Sequence, residues 1–298
     1  MGFMDVHYRY TFFLYTKKYQ NHLLIGCLKM LIDTHCHINI LVKNTFDVPL
    51  EQNNIPQAAE IIKQAEEHNV TKIINVGTSL IESINCIELS KMFRQCYASA
   101  GIHPNDCQEN WRDDFKKLET VIKNREPNTI VAIGETGLDR HYPGYNIQRQ
   151  QDAFKAHIEC SLEHNLPLII HTRSAHDEVL TILDEYKQDN PRGVIHCFSE
   201  DQAFADHAIE LGFVLGIGGT LTYPKNTALR DIFTNVSLEK IILETDAPYL
   251  PPQSIRGKKN HPREIATIAH YLAELRQESF ETIAKTTTAT ATALFGLE

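Results

Sequence analysis

The feature that most constrains this chain is a rhythm in which a short run of β-branched and apolar residues gives way to an amphipathic helical pattern, again and again. The runs occupy residues 30–38, 72–77, 96–103, 129–134, 167–171, 193–196, 213–217 and 240–246. Between them apolar residues recur three and four apart, as Ala58, Ile61, Ile62 and Ala65 do, which is the spacing of one helix face. Strands joined through helices pair in parallel, because a tight turn cannot bring the chain back to the same end of a sheet. The runs are continuously apolar rather than alternating, so both of their faces should be buried. Eight such units predict a closed (β/α)8 barrel of the TIM type, an α/β fold. No Gly-x-Gly-x-x-Gly turn follows the first run, which argues against an open dinucleotide-binding sheet. No linker rich in Pro, Gly or Ser breaks residues 30–298, so they are read as one domain.

In such a barrel the carboxyl ends of all strands open on one mouth, and residues placed there carry the chemistry. His35 and His37 close the first run, and on a strand residues two apart project together while Cys36 faces away. Glu135 follows the fourth run, His171 and His196 close the fifth and sixth, and Asp246 closes the eighth. One histidine after an apolar run is ordinarily a hydrogen-bonded core residue; six ligand-type side chains on one rim are not explained that way. Four imidazoles and two carboxylates exceed what one tetrahedral zinc needs, so two divalent ions are expected. Glu135 suits the bridging position, with His35, His37 and Asp246 on one ion and His171 and His196 on the other. Mixed nitrogen and oxygen donors suit Zn²⁺, Mn²⁺ or Co²⁺, and Mg²⁺ with more water. Beside a metal-activated water, Asp246 is placed to orient it and take its proton, so Asp246 and Glu135 are the expected catalytic carboxylates.

The same residues sit in motifs: Ile32-Asp-Thr-His-Cys-His37, Gly101-Ile-His-Pro104, Ile133-Gly-Glu-Thr-Gly-Leu-Asp139, Ile170-His-Thr-Arg173, His196-Cys-Phe-Ser199 and Leu243-Glu-Thr-Asp-Ala-Pro-Tyr249. In these the chain resembles the TatD family of metal-dependent deoxyribonucleases, in the amidohydrolase superfamily, in family order from Met30 almost to the end. The resemblance implies a (β/α)8 barrel, a divalent-metal centre and hydrolysis of DNA phosphodiester bonds. It also implies metal positions at His35, His37, Glu135, His171, His196 and Asp246. The chain departs from the family at Glu200, at Asn260-His261-Pro262 and at Arg140-His141-Tyr142-Pro143, all in loops that shape the substrate path.

Substrate contacts are expected from His103, which follows the third run, from Arg173, two residues beyond His171, and from the basic run Arg256, Lys258 and Lys259 after the last strand. A net charge of −9 argues against coating duplex nucleic acid by charge alone. DNA at its ends or as single strands is the expected partner, because a barrel mouth offers no cleft for continuous duplex; no obligate protein partner is expected. An alternative keeps the dinuclear centre and changes the bond to that of a small acyl, amide or ester substrate. Seven cysteines without a Cys-x-x-Cys pair read as reduced thiols of a cytoplasmic protein. Residues 1–29 carry only a brief apolar run before Lys17 and Lys18, too short for a membrane span. They are read as an extension, poorly ordered or loosely attached, upstream of a functional start at Met30.

Overall fold

Eight strands and ten helices form within residues 31–297, which the computed structural model describes; the expected extension over residues 1–29 lies outside the described residues. The strands are β1 (Leu31–Cys36), β2 (Val70–Asn75), β3 (Cys96–Ala100), β4 (Ile130–Asp139), β5 (Leu168–Arg173), β6 (Gly193–Ile195), β7 (Phe213–Ile217) and β8 (Ile241–Leu243). The helices are α1 (Ile38–Lys43), α2 (Asn54–Glu67), α3 (Leu80–Met92), α4 (Trp111–Lys123), α5 (Ile147–His164), α6 (His176–Glu185), α7 (Gln202–Glu210), α8 (Thr227–Asn235), α9 (Ile265–Arg276) and α10 (Phe280–Phe295). All strands are parallel and lie in chain order, each beside its neighbour in sequence. This is the (β/α)8 barrel that the rhythm of the sequence predicts.

Continuous apolar runs are needed because each strand buries two faces. Ile32, Ile74, Val131, Ile169, Val194 and Ile242 pack together inside the barrel, where Phe295 and Leu297 at the end of α10 join them. Their neighbours Leu31, Ile73, Ile130, Leu168, Ile195 and Ile241 belong to a separate core shared with the surrounding helices. Each such aliphatic side chain contributes about 1.5–3 kcal/mol on burial.

Three boundaries differ from the sequence reading, and each bears on the mouth. The segment after His37, which the sequence pattern leaves irregular over residues 39–54, begins with α1, whose Ile38, Ile40 and Val42 are buried. β4 does not stop at Gly134. It continues to Asp139, with a register shift between Ile133 and Thr136 and with Gly134 and Gly137 at φ of 138° and 137°, values open to glycine alone. β8 ends at Leu243, so Asp246 lies on a loop rather than on a strand.

Between β1 and β8 there is only an isolated bridge, Cys36 to Ala247. Side chains complete this seam. Buried Asp33 accepts from the backbone nitrogen of Thr245 at 2.9 Å and from its Oγ1 at 2.6 Å, and Thr34 Oγ1 donates to the Leu243 carbonyl at 2.9 Å. Two backbone bonds lie just above them, from His37 N to Ala247 O at 2.7 Å and from Asp246 N to His35 O at 2.8 Å. The seam therefore fixes the relative height of His35, His37 and Asp246.

Candidate metal centre

β1 delivers His35 and His37 with their Nε2 atoms 3.3 Å apart. His37 Nδ1 lies 2.9 Å from the Val76 carbonyl, which turns Nε2 toward the mouth. Asp246, with φ of 56°, carries Oδ1 to 3.4 Å from His37 Nε2, 3.7 Å from His35 Nε2 and 3.9 Å from His196 Nε2. Glu135 faces two ways. Its Oε2 is 3.4 Å from His35 Nε2, while Oε1 is 2.9 Å from His171 Nδ1 and 3.9 Å from His196 Nε2. The His35 and His196 rings are stacked at 3.5 Å between centroids. All six side chains anticipated as ligands thus converge, from β1, β4, β5, the ends of β6 and β8, and the seam.

Their partition differs in one respect from the expected one. His35, His37 and Asp246 form one tight group, and His35, Glu135 and His196 a second. His171 instead points Nε2 at Asp139 Oδ2, 3.2 Å away, in a third group with His103. Asp139 is not among the residues expected from the sequence, nor is Glu244, whose Oε1 lies 2.9 Å from His196 Nδ1 and accepts from Cys197 N at 2.5 Å. Both belong to quoted motifs, and an acidic residue inside each of those motifs was the available cue. Each orients an imidazole by holding the nitrogen turned away from the centre, as outer-shell carboxylates do for metal-bound histidines.

Electrostatics follow from this crowding. Burial alone would keep the imidazoles neutral. Around His196 the carboxylates of Glu244, Glu135 and Asp246 overcome it and raise the ring to about 10. His37 is raised against burial by Asp246, and His171 by Asp139 and Glu135. His35 is lowered by burial and by the stacked His196, and His103 falls to about 3 through burial and the neighbouring His171. Burial would push the acids up, yet the surrounding imidazoles hold Glu135 and Asp246 below the ordinary carboxylate range. The centre is thus a buried concentration of lone pairs around His35 Nε2, whose neighbours within reach are a second imidazole nitrogen and two carboxylate oxygens. Such a donor set fits divalent cations, which supply the missing positive charge.

The ligand-type residues His37, His103, Glu135, His171, His196 and Asp246 line one cavity of about 430 Å³. His103 faces Glu135 Oε1 with its Nε2 at 3.6 Å, as its expected place at the mouth requires. The anticipated cations are elsewhere. Arg173, exposed, holds its guanidinium 5.5 Å from the Tyr142 ring centroid, and Arg256 lies 4.0 Å above Tyr223. Lys259 donates to Asn44 Oδ1, and Lys258 is exposed on the same loop. Among the described residues, none of these four lines the cavity.

Known proteins resemble this chain in sequence and in fold. A family model described as TatD related DNase matches residues 32–296. The uncharacterized metal-dependent hydrolase YcfH of Escherichia coli K12 is 32% identical over 268 residues, covering 90% of this chain and 96% of the relative. The 3′-5′ ssDNA/RNA exonuclease TatD of Citrobacter rodentium is 32% identical over 243 residues, covering 80% and 91%. The crystal structure of YjjV, a TatD homologue from Escherichia coli K12, superposes with a TM-score of 0.81 at 29% identity, over 90% of this chain and 98% of that one.

Proposed function

The chain belongs to the TatD-related DNase family of metal-dependent hydrolases, and from that premise we propose that it hydrolyses DNA phosphodiester bonds, at ends or in single strands, with two divalent cations at the barrel mouth. The observation that carries the proposal is the meeting of four imidazoles around the carboxylates of Glu135 and Asp246, with Glu135 turning one oxygen to His35 and the other to His171. His35, His37 and Asp246 would hold one cation, and Glu135 with His196 and, through Nδ1, His171 the other; Mg²⁺, Mn²⁺ and Zn²⁺ all suit these donors. Bound there, the pair would polarise a phosphoryl oxygen and make water a nucleophile near neutral pH. Asp246 Oδ1, kept ionised by His37 and His196, accepts the proton of the attacking water. His103, kept neutral, hydrogen-bonds a phosphate oxygen through Nε2. Asp139 and Glu244 hold His171 and His196 at their required angles. The name of the Citrobacter relative supports an exonuclease acting on single strands.

The test is hydrolysis of labelled single- and double-stranded oligonucleotides by purified protein supplied with Mg²⁺, Mn²⁺ or Zn²⁺. Cleavage that chelator abolishes and metal restores supports the reading, and a metal-loaded sample that leaves every DNA intact rejects it. One observation favours a second reading, a small acyl, amide or ester substrate: among the described residues no Lys or Arg lines the central cavity. Comparing phosphodiesters with lactones and amides in one panel separates the two.

We also place the working domain at residues 30–298, with residues 1–29 as an upstream extension; the N-terminal mass of the native protein tests this. The six described cysteines are free, which fits a reducing, cytoplasmic setting. No described helix is long and apolar enough to cross a membrane.

A further inference from the structure

A nuclease must grip more than the bond it cuts, and the central cavity offers no cation for the neighbouring phosphates. A second cavity, of about 310 Å³, adjoins it, with Asn105 and Tyr142 lining both. It lies between the β3–α4 connection, with Cys107 and Gln108, and the β4–α5 connection with the first turn of α5, which carry Tyr145 and Arg149. Arg149 is the one Lys or Arg lining either cavity among the described residues. Its guanidinium is weakly engaged: Nη1 donates to the Cys107 carbonyl at 3.4 Å, and Nη2 is 3.8 Å from a Glu109 carboxylate that is 94% exposed. An ion pair with so exposed a partner contributes little, and a phosphate can replace it bidentately.

The aromatic side chains repeat the pattern. Of the described residues, the large exposed aromatics are Phe46, Tyr142, Tyr145 and Tyr249, and every one lines the central cavity or its neighbour. Exposed rings gathered at one place on a surface mark a binding site. Arginines lie against both rings: Arg173 is 5.5 Å from Tyr142 and Arg140 5.7 Å from Tyr145, where Arg140 Nε also donates to Tyr145 Oη at 3.3 Å and holds that ring. Arg140 is itself anchored by Glu178. A ring held in place loses little freedom when a base stacks on it.

We infer that this second cavity is a subsite for the nucleotide next to the cleaved bond, with the base on Tyr142 and Tyr145 and the phosphate on Arg149. The inference rests on the reading of the substrate as nucleic acid, and it requires an unpaired base, since a base inside a duplex presents no free face. It assigns the phosphate contact expected of Arg173, Arg256, Lys258 and Lys259 to a residue that reading the sequence did not single out.

Fluorescence anisotropy with a phosphorothioate-linked single-stranded trinucleotide tests it on the full chain with metal present. Tyr145→Ala and Arg149→Ala should each weaken binding about tenfold, while Tyr145→Phe, which keeps the ring and loses only the bond from Arg140, should weaken it less than Tyr145→Ala does. The plot of log affinity against log salt should be shallower by about 0.7 in Arg149→Ala, the mark of one lost phosphate contact on a single strand. An abasic residue at the neighbouring position should weaken the parent and leave Tyr145→Ala unaffected. Parent-like affinity in both alanine variants, an unchanged salt slope, or no binding by the parent overturns the subsite. Binding that follows this pattern without cleavage leaves the subsite standing and rejects only the hydrolytic reading.

Discussion

Glu135 and Asp246 occupy the centre of the site, yet they answer to different physics. Glu135 is a buried carboxylate shared between imidazoles on two sides, and Asp246 is a loop residue whose oxygen sits within 3.4 Å of His37. Asp246→Asn keeps the shape and removes the proposed base, so kcat should fall by about 10²–10⁴-fold; steady-state hydrolysis of single-stranded DNA measures it. Glu244→Gln acts through His196 and should lower metal affinity about 10- to 100-fold, read by competition against a metal-sensitive dye. The pairing of His35 with His37 was legible because alternation along a strand sends both to one side. Asp139 and Glu244 were not, because their role depends on which nitrogen of His171 and His196 turns outward, and rotamers do not show in residue spacing. The displacement of Arg173, Arg256, Lys258 and Lys259 from the cavity has the same origin: long side chains on loops go where local partners such as Tyr142, Tyr223 and Asn44 take them.

Among the elements, β4 and the β1–β8 seam do the positioning. The seam depends on Asp33, which accepts from the nitrogen and the hydroxyl of Thr245 and from His35 N at 3.3 Å. Asp33→Ala leaves these buried donors unpaired and should cost about 3 kcal/mol, with urea unfolding as the measurement. In β4, a Cβ at Gly137 would lie 2.0 Å from the His171 carbonyl, at a φ of 137° that other residues avoid. Gly137→Ala should therefore destabilise the barrel by at least about 2 kcal/mol, visible as a lower midpoint in the same experiment. These two glycines are also why β4 outran its sequence reading. Gly134 reads as a strand end, whereas in the barrel it lets the strand swing Glu135 inward and continue. The strands themselves were legible to within a few residues, since burial on both faces leaves an unmistakable apolar run.

At the scale of the molecule, an acidic chain with a net charge of −9 concentrates its ligand-type residues, its exposed aromatics and Arg149 at one end of a (β/α)8 barrel. The barrel and the convergence of the six ligand-type residues at one mouth were both readable, because eight parallel strands must share a carboxyl end. The shape of the loops above that end was not, since it depends on contacts between segments far apart in sequence. The central claim is that those six residues hold a pair of cations on which phosphodiester hydrolysis depends. It is tested most directly by titrating metal-stripped protein with Mn²⁺ while following hydrolysis of a single-stranded oligonucleotide. The account predicts no turnover without metal and a rise that levels off at two equivalents per chain; turnover that persists in chelator, or none at any metal concentration, would contradict it.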